Sequence, residues 1–125
     1  MRRTAVMVAA IAAAALGVAG PAGAGDDTKI GVRATEFDLI LSRAVVSPGA
    51  AEIEYTNQGE DAHDLQIRRR GSEHVYSVTE IPATGPPEEI DLRLKKRSRY
   101  VMWCSTLDGK HRMLGMEAEL RVKKR

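Results

Sequence analysis

EEIDLRL (residues 88–94) places Ile90, Leu92 and Leu94 on one side of an extended chain and charged side chains on the other. That period of two is the pattern of a half-buried strand. The same text recurs on both sides of it. Downstream, Tyr100-Val101-Met102-Trp103-Cys104 is apolar throughout and reads as a strand buried on both faces, and Ala118 to Val122 alternates again. Upstream, Pro82-Ala83-Thr84-Gly85-Pro86-Pro87 is a connection that no helix would cross. Before it, strands are predicted over 28–33, 36–42 (Phe37, Leu39 and Leu41 on one face), 51–57 (Ile53 and Tyr55 inward), 63–68 (Leu65 and Ile67 inward) and 73–79 (Tyr76 and Val78 together). Ser47-Pro48-Gly49-Ala50 reads as a turn and residues 58–62 as a loop. Seven to eight short strands, frequent turn signals and no convincing helix predict an all-β chain, folded as a two-sheet sandwich or a barrel.

The N-terminus has a different character. Arg2-Arg3 precede an Ala/Val/Ile/Leu run from Ala5 to about Val18, and small residues stand at Ala22 and Ala24. A basic start, a short apolar core and an A-x-A ending are the layout of a secretory signal peptide over residues 1–24. The apolar run is shorter than the roughly 20 residues of a spanning helix, so cleavage is expected over retention as an anchor, and contact with a membrane only if the segment is uncleaved. The expectation is an exported protein, periplasmic, extracellular or at the cell surface, with one domain over residues 25–125. Removing residues 1–24 takes away two arginines and no acid, so 19 basic against 17 acidic side chains becomes an even balance. The remaining basic runs, Arg68-Arg69-Arg70, Lys95-Lys96-Arg97 and Lys123-Lys124-Arg125, read as strand ends and solvated edges. There is no continuous basic face and no interleaving of aromatics, so no nucleic-acid partner is expected.

The chain has one cysteine. In an oxidising compartment a lone thiol is a liability unless it is buried, linked to another chain or bound to metal. Its neighbours favour metal. The stretch CSTLDGKHRMLGM (residues 104–116) gathers Cys104, His111, Met113 and Met116. His63 stands where the loop 58–62 meets the next strand, a position from which a side chain can reach the end of a sandwich. Two imidazoles and a thiolate with a weak axial thioether suit an electron-transfer copper site. The third histidine, His74, begins a predicted strand and reads as a surface residue.

Three segments carry a family resemblance: N-x-G-x-x-x-H-D at Asn57 to Asp64, Y-x-x-W-C at Tyr100 to Cys104, and H-x-x-x-G-M-x-A-x-L-x-V at His111 to Val122. Together they resemble the small exported cupredoxins of the plastocyanin-like or azurin-like kind. The resemblance implies a Greek-key β-sandwich with one copper ion near one end, cycling between cuprous and cupric states. It implies His63, Cys104 and His111 as equatorial ligands and Met116 as the axial one. Met113 is the competing methionine; Met116 is preferred because Gly115-Met116 leads straight into the last strand. Asp64 and Asn57 are expected to support the site, Asn57 by tying the two ligand loops together. The chain departs from the family in the length of its Cys-to-His segment. Here it is Cys-x₆-His, with Asp108-Gly109-Lys110 before His111, where family members often have a shorter segment ending Pro-Gly-His.

The function implied is single-electron transfer between a protein donor and a protein acceptor, by a monomer and without catalysis. Three histidines, one of them spare, do not build the further copper centres of a nitrite reductase or multicopper oxidase. The alternatives are a copper-handling protein that stores or delivers the metal to other such proteins, and an adhesion module without metal.

Overall fold

The computed structural model describes residues 27–125, so the expected signal peptide at 1–24 lies outside the described residues. The described residues fold as two facing sheets, with nine strands among them where seven or eight were expected. In order they are β1 (Thr28–Thr35), β2 (Asp38–Leu41), β3 (Val45–Val46), β4 (Gly49–Asn57), β5 (His63–Arg69), β6 (Val75–Ile81), β7 (Glu88–Leu94), β8 (Arg99–Trp103) and β9 (Glu117–Val122). One sheet runs β2-β1-β4-β7 and the other β3-β9-β8-β5-β6. Pairing is antiparallel except for β1 with β4 and β3 with β9.

Period-two alternation puts the apolar side chains of both sheets into the space between them. Ile30, Val32 and Ala34 from β1 join Ile53 and Tyr55 from β4. They meet Leu65 and Ile67 from β5, Tyr100 and Met102 from β8, and Leu120 and Val122 from β9, all buried. The charged partners of this pattern face water, and so do the three basic runs.

Four local expectations are corrected. Residues 36 and 37 are not in a strand. They form the two-residue connection of the β1–β2 hairpin, in which Thr35 pairs with Asp38. No Gly, Pro or Asn marks that turn. The 47–50 turn is shorter than expected, because Gly49, at φ +120°, already opens β4. Val45–Val46 forms a strand too short to show alternation, by pairing with Arg121–Val122. A single helical turn, α1 (Lys110–Met113), stands where no helix was expected. Four residues are too few for a helical period, and the turn has no side-chain cap.

This frame brings three connections to one end of the sandwich: the β1–β2 turn, the β4–β5 loop and the β8–β9 loop that contains α1.

Candidate metal centre

Cys104 follows directly on β8. Tyr100 and Met102 point into the core, so Cys104, two residues on, points there too and is fully buried. The antiparallel ladder pairs Tyr100 with Leu120, Met102 with Ala118 and Trp103 with Glu117. The next step opposes Cys104 to Met116, and the Cys104 amide donates to the Met116 carbonyl at 3.2 Å. Residues opposed in this way share a face, and Met116 is fully buried like Cys104. Met113 is 87 % exposed, at the end of α1.

The extra length between Cys104 and His111 is taken up by turns. The Gly109 amide donates to the Ser105 carbonyl at 3.0 Å and Lys110 to Leu107 at 3.1 Å. Leu107, Asp108 and Gly109 all have positive φ, a conformation that glycine adopts freely, aspartate tolerates and leucine adopts only with strain. The chain then enters α1, which carries His111 inward while Lys110 and Met113 face out. The Met116 amide donates back to the His111 carbonyl at 3.2 Å. One backbone network thus fixes Cys104, His111 and Met116 relative to each other.

His63 opens β5 and is fully buried. Its Nδ1 lies 3.1 Å from His111 Nδ1 and 3.9 Å from Cys104 Sγ, and His111 Nδ1 lies 3.8 Å from the sulfur. Among the described residues these three are the one such cluster able to hold a metal ion. The triangle of donor atoms has a circumscribed radius of about 2.1 Å, close to the bond lengths of about 2.0–2.3 Å that imidazole nitrogen and thiolate sulfur make to a first-row ion such as zinc. The donors present, two nitrogens and a sulfur around a common centre, therefore fit a soft or borderline transition ion and not calcium or magnesium.

The surroundings hold these atoms in place. Asp64 spans the two ligand loops: its Oδ1 accepts from the Ser105 amide at 2.6 Å, and its Oδ2 accepts from the Ser105 hydroxyl and from Gln66 Nε2. Tyr55 donates its hydroxyl to the Asp64 carbonyl at 2.8 Å. Burial, with the negative charges of Cys104 and Asp64 nearby, pushes the Tyr55 hydroxyl pKa up, so it remains a donor. Burial likewise pushes the Cys104 thiol up, against hydrogen bonds from Thr106 and the Asp64 amide that favour the thiolate. Thr106 Oγ1 lies 3.1 Å from the sulfur.

Asn57 does not tie the two ligand loops together. It donates to the carbonyls of Asp61 and Ile81 and accepts from the Gly59 amide, so it closes the β4–β5 loop onto the end of β6. Asp64 makes the connection expected of Asn57. His74 is exposed before β6, edge-on to Tyr76 at 4.5 Å.

The β1–β2 turn supplies two neighbours that the sequence did not advertise. The Phe37 ring meets His111 edge-on at 5.1 Å. Glu36 Oε1 lies 3.0 Å from His63 Nε2 and accepts the amides of Glu60 and Asp61, each at 2.7 Å. The Asp61 amide, foremost, and then His63 hold the Glu36 carboxyl below the usual carboxylate range. Neither residue lies in a recognisable spacing with the ligands; only the hairpin brings them there.

No protein-family model and no curated protein matches the sequence. Solved structures do match in fold. Reduced auracyanin from Roseiflexus castenholzii superposes with a TM-score of 0.61 at 17 % identity, over 78 % of this chain and 98 % of that one. Auracyanin A of Chloroflexus aurantiacus, described as a "blue" copper protein, gives 0.55 at 16 % identity over 78 % and 99 %. The copper nitrite reductase of Nitrosomonas europaea gives 0.54 at 13 % identity, over 78 % of this chain but 41 % of its own. The chain thus has the cupredoxin fold, with His63, Cys104 and His111 converging at one end of the sandwich.

Proposed function

We propose that the chain is an exported, mononuclear blue-copper protein that carries single electrons between two redox proteins. The observation that carries this reading is the convergence of two imidazole nitrogens and a buried sulfur, from two loops, on a common centre about 2.1 Å from each. The opposition of Met116 to Cys104 supports Met116 as the methionine that would join the donor set, and the exposure of Met113 argues against Met113. Auracyanin A, which shares the fold, is a blue copper protein by description.

Copper, when bound, supplies a one-electron couple; everything else is done by the chain. A buried thiol resists ionisation, so a bound cation would act together with the Thr106 hydroxyl and the Thr106 and Asp64 amides in favouring the thiolate. The ladder between β8 and β9, the Asp64 clamp and the His63–Glu36 contact keep the donors in one arrangement, so gaining or losing an electron moves few atoms. His111 is almost wholly buried but is carried by a loop whose Leu107, Met113 and Leu114 are exposed. These exposed apolar side chains, interleaved with the charged Asp108 and Lys110, form the rim where a redox partner would approach. Electron carriage without catalysis is part of the same proposal, supported by the auracyanins, which share the fold over nearly their whole length. Export rests on the N-terminal pattern; no helix among the described residues is long and apolar enough to cross a membrane.

Voltammetry of the copper-loaded full chain tests electron carriage. A reversible one-electron wave with copper retained in both states is expected. Loss of copper to a chelator upon reduction would instead mark a delivery protein.

A further inference from the structure

Glu36 and His63 are 27 positions apart, yet the β1–β2 turn sets the carboxylate behind the imidazole, 3.0 Å from Nε2. The carboxylate is itself held: the same oxygen accepts the Glu60 and Asp61 amides at 2.7 Å. Gly59 makes the approach possible. A Cβ there would overlap Oε1 and fall 2.7 Å from the carboxyl carbon.

A carboxylate only accepts, so its partner nitrogen must carry the proton. In the neutral ring the lone pair then sits on Nδ1, the nitrogen facing His111 and Cys104. We propose that Glu36 is a positioning residue of the metal centre, holding His63 as the Nε2–H tautomer and placing a negative charge directly behind a copper ligand. The inference rests on the copper reading above.

Two consequences separate this role from that of a clamp on the 58–62 loop. Fixing the tautomer pre-forms the donor, and losing such a partner typically costs about 10–100-fold in metal affinity. A fixed negative charge also favours the cupric over the cuprous ion, so removing it raises the reduction potential. A clamp alone would change neither the ratio of the two affinities nor the ring tautomer.

The experiment uses the full chain, Glu36→Gln and Glu36→Leu. Glu36→Gln keeps an oxygen for the loop amides and for Nε2 but loses the charge; Glu36→Leu loses both. Imidazole ¹⁵N spectra of the metal-free wild type are expected to show His63 protonated on Nε2 and bare on Nδ1, retained in Glu36→Gln and mixed in Glu36→Leu. Cupric affinity in folded Glu36→Gln is expected to fall about tenfold relative to cuprous, a rise of about 59 mV in potential. Wild-type potential and affinity in folded Glu36→Gln, or a wild-type His63 carrying its proton on Nδ1, would overturn the proposal. A wild-type chain that takes up no copper overturns the copper reading instead. The metal-free tautomer spectra then decide by themselves whether Glu36 sets the ring.

Discussion

Cys104 and Met116 face each other across the first rung beyond the β8–β9 ladder, joined by a 3.2 Å hydrogen bond from the Cys104 amide to the Met116 carbonyl. A pair in that position shares one face of the sheet, and both side chains are fully buried. Strand register thus places Met116, and not the exposed Met113, on the same face as Cys104.

That choice is testable by substitution. Met116→Leu keeps volume and removes the sulfur, so it should leave the fold intact and shift the copper potential and absorption spectrum. Met113→Leu, on an exposed side chain, should change neither. Met116→Ala should destabilise the metal-free protein by about 2–5 kcal/mol through the cavity it leaves, measured by urea unfolding. Unchanged spectra in Met116→Leu, with altered spectra in Met113→Leu, would reverse the assignment.

Asp64 is the connection between the two ligand loops. Asp64→Ala strands the Ser105 amide and hydroxyl, and is expected to cost about 1–3 kcal/mol in denaturant unfolding. Copper affinity should fall about tenfold, because Cys104, the neighbour of Ser105, loses its tether to β5. Asn57→Ala should destabilise the protein too, but through the β4–β5 loop, with a smaller effect on the sulfur environment.

Much of this arrangement was legible in the sequence, for one physical reason. Alternation reports which side of a strand meets the core, so Ile53, Tyr55, Leu65, Ile67 and Leu92 fall inward as the pattern requires. His63, Cys104 and His111 were legible because the chemistry of a transition metal demands those types. What could not be read lies in pairings between distant segments. The parallel contact of β1 with β4 has no local signal, and Val45–Val46 is a strand only because β9 lies beside it. Glu36 and Phe37 look like part of an alternating strand until the hairpin turns them towards His63 and His111. Asn57 has the position of a site residue but spends its hydrogen bonds on its own loop and the end of β6.

A pH dependence follows from Glu119, far from the donors. Its carboxylate accepts from Arg70 at 2.7–2.8 Å and from Arg99 at 2.9 Å, bracing β9 against β8 and the end of β5. These guanidinium groups, Arg70 foremost, hold the Glu119 carboxyl below its ordinary value of 4.5. A depressed folded pKa means that the stabilisation is present above about 4.5 and is lost as pH falls through the lower folded value. Thermal melts of wild type and Glu119→Gln should differ in favour of wild type near neutrality and converge in acid. High salt should narrow the gap, because the pair is largely solvated. A gap that persists unchanged into acid would mean that Glu119 acts through packing.

Cys104, His63 and His111 are proposed to bind copper together, with the sulfur as thiolate. Titration of the full chain with cupric ion, followed by visible absorption, tests this most directly. An intense blue band that saturates at one copper per chain and is absent in Cys104→Ser is expected. A colourless complex, or a band that survives Cys104→Ser, would contradict it.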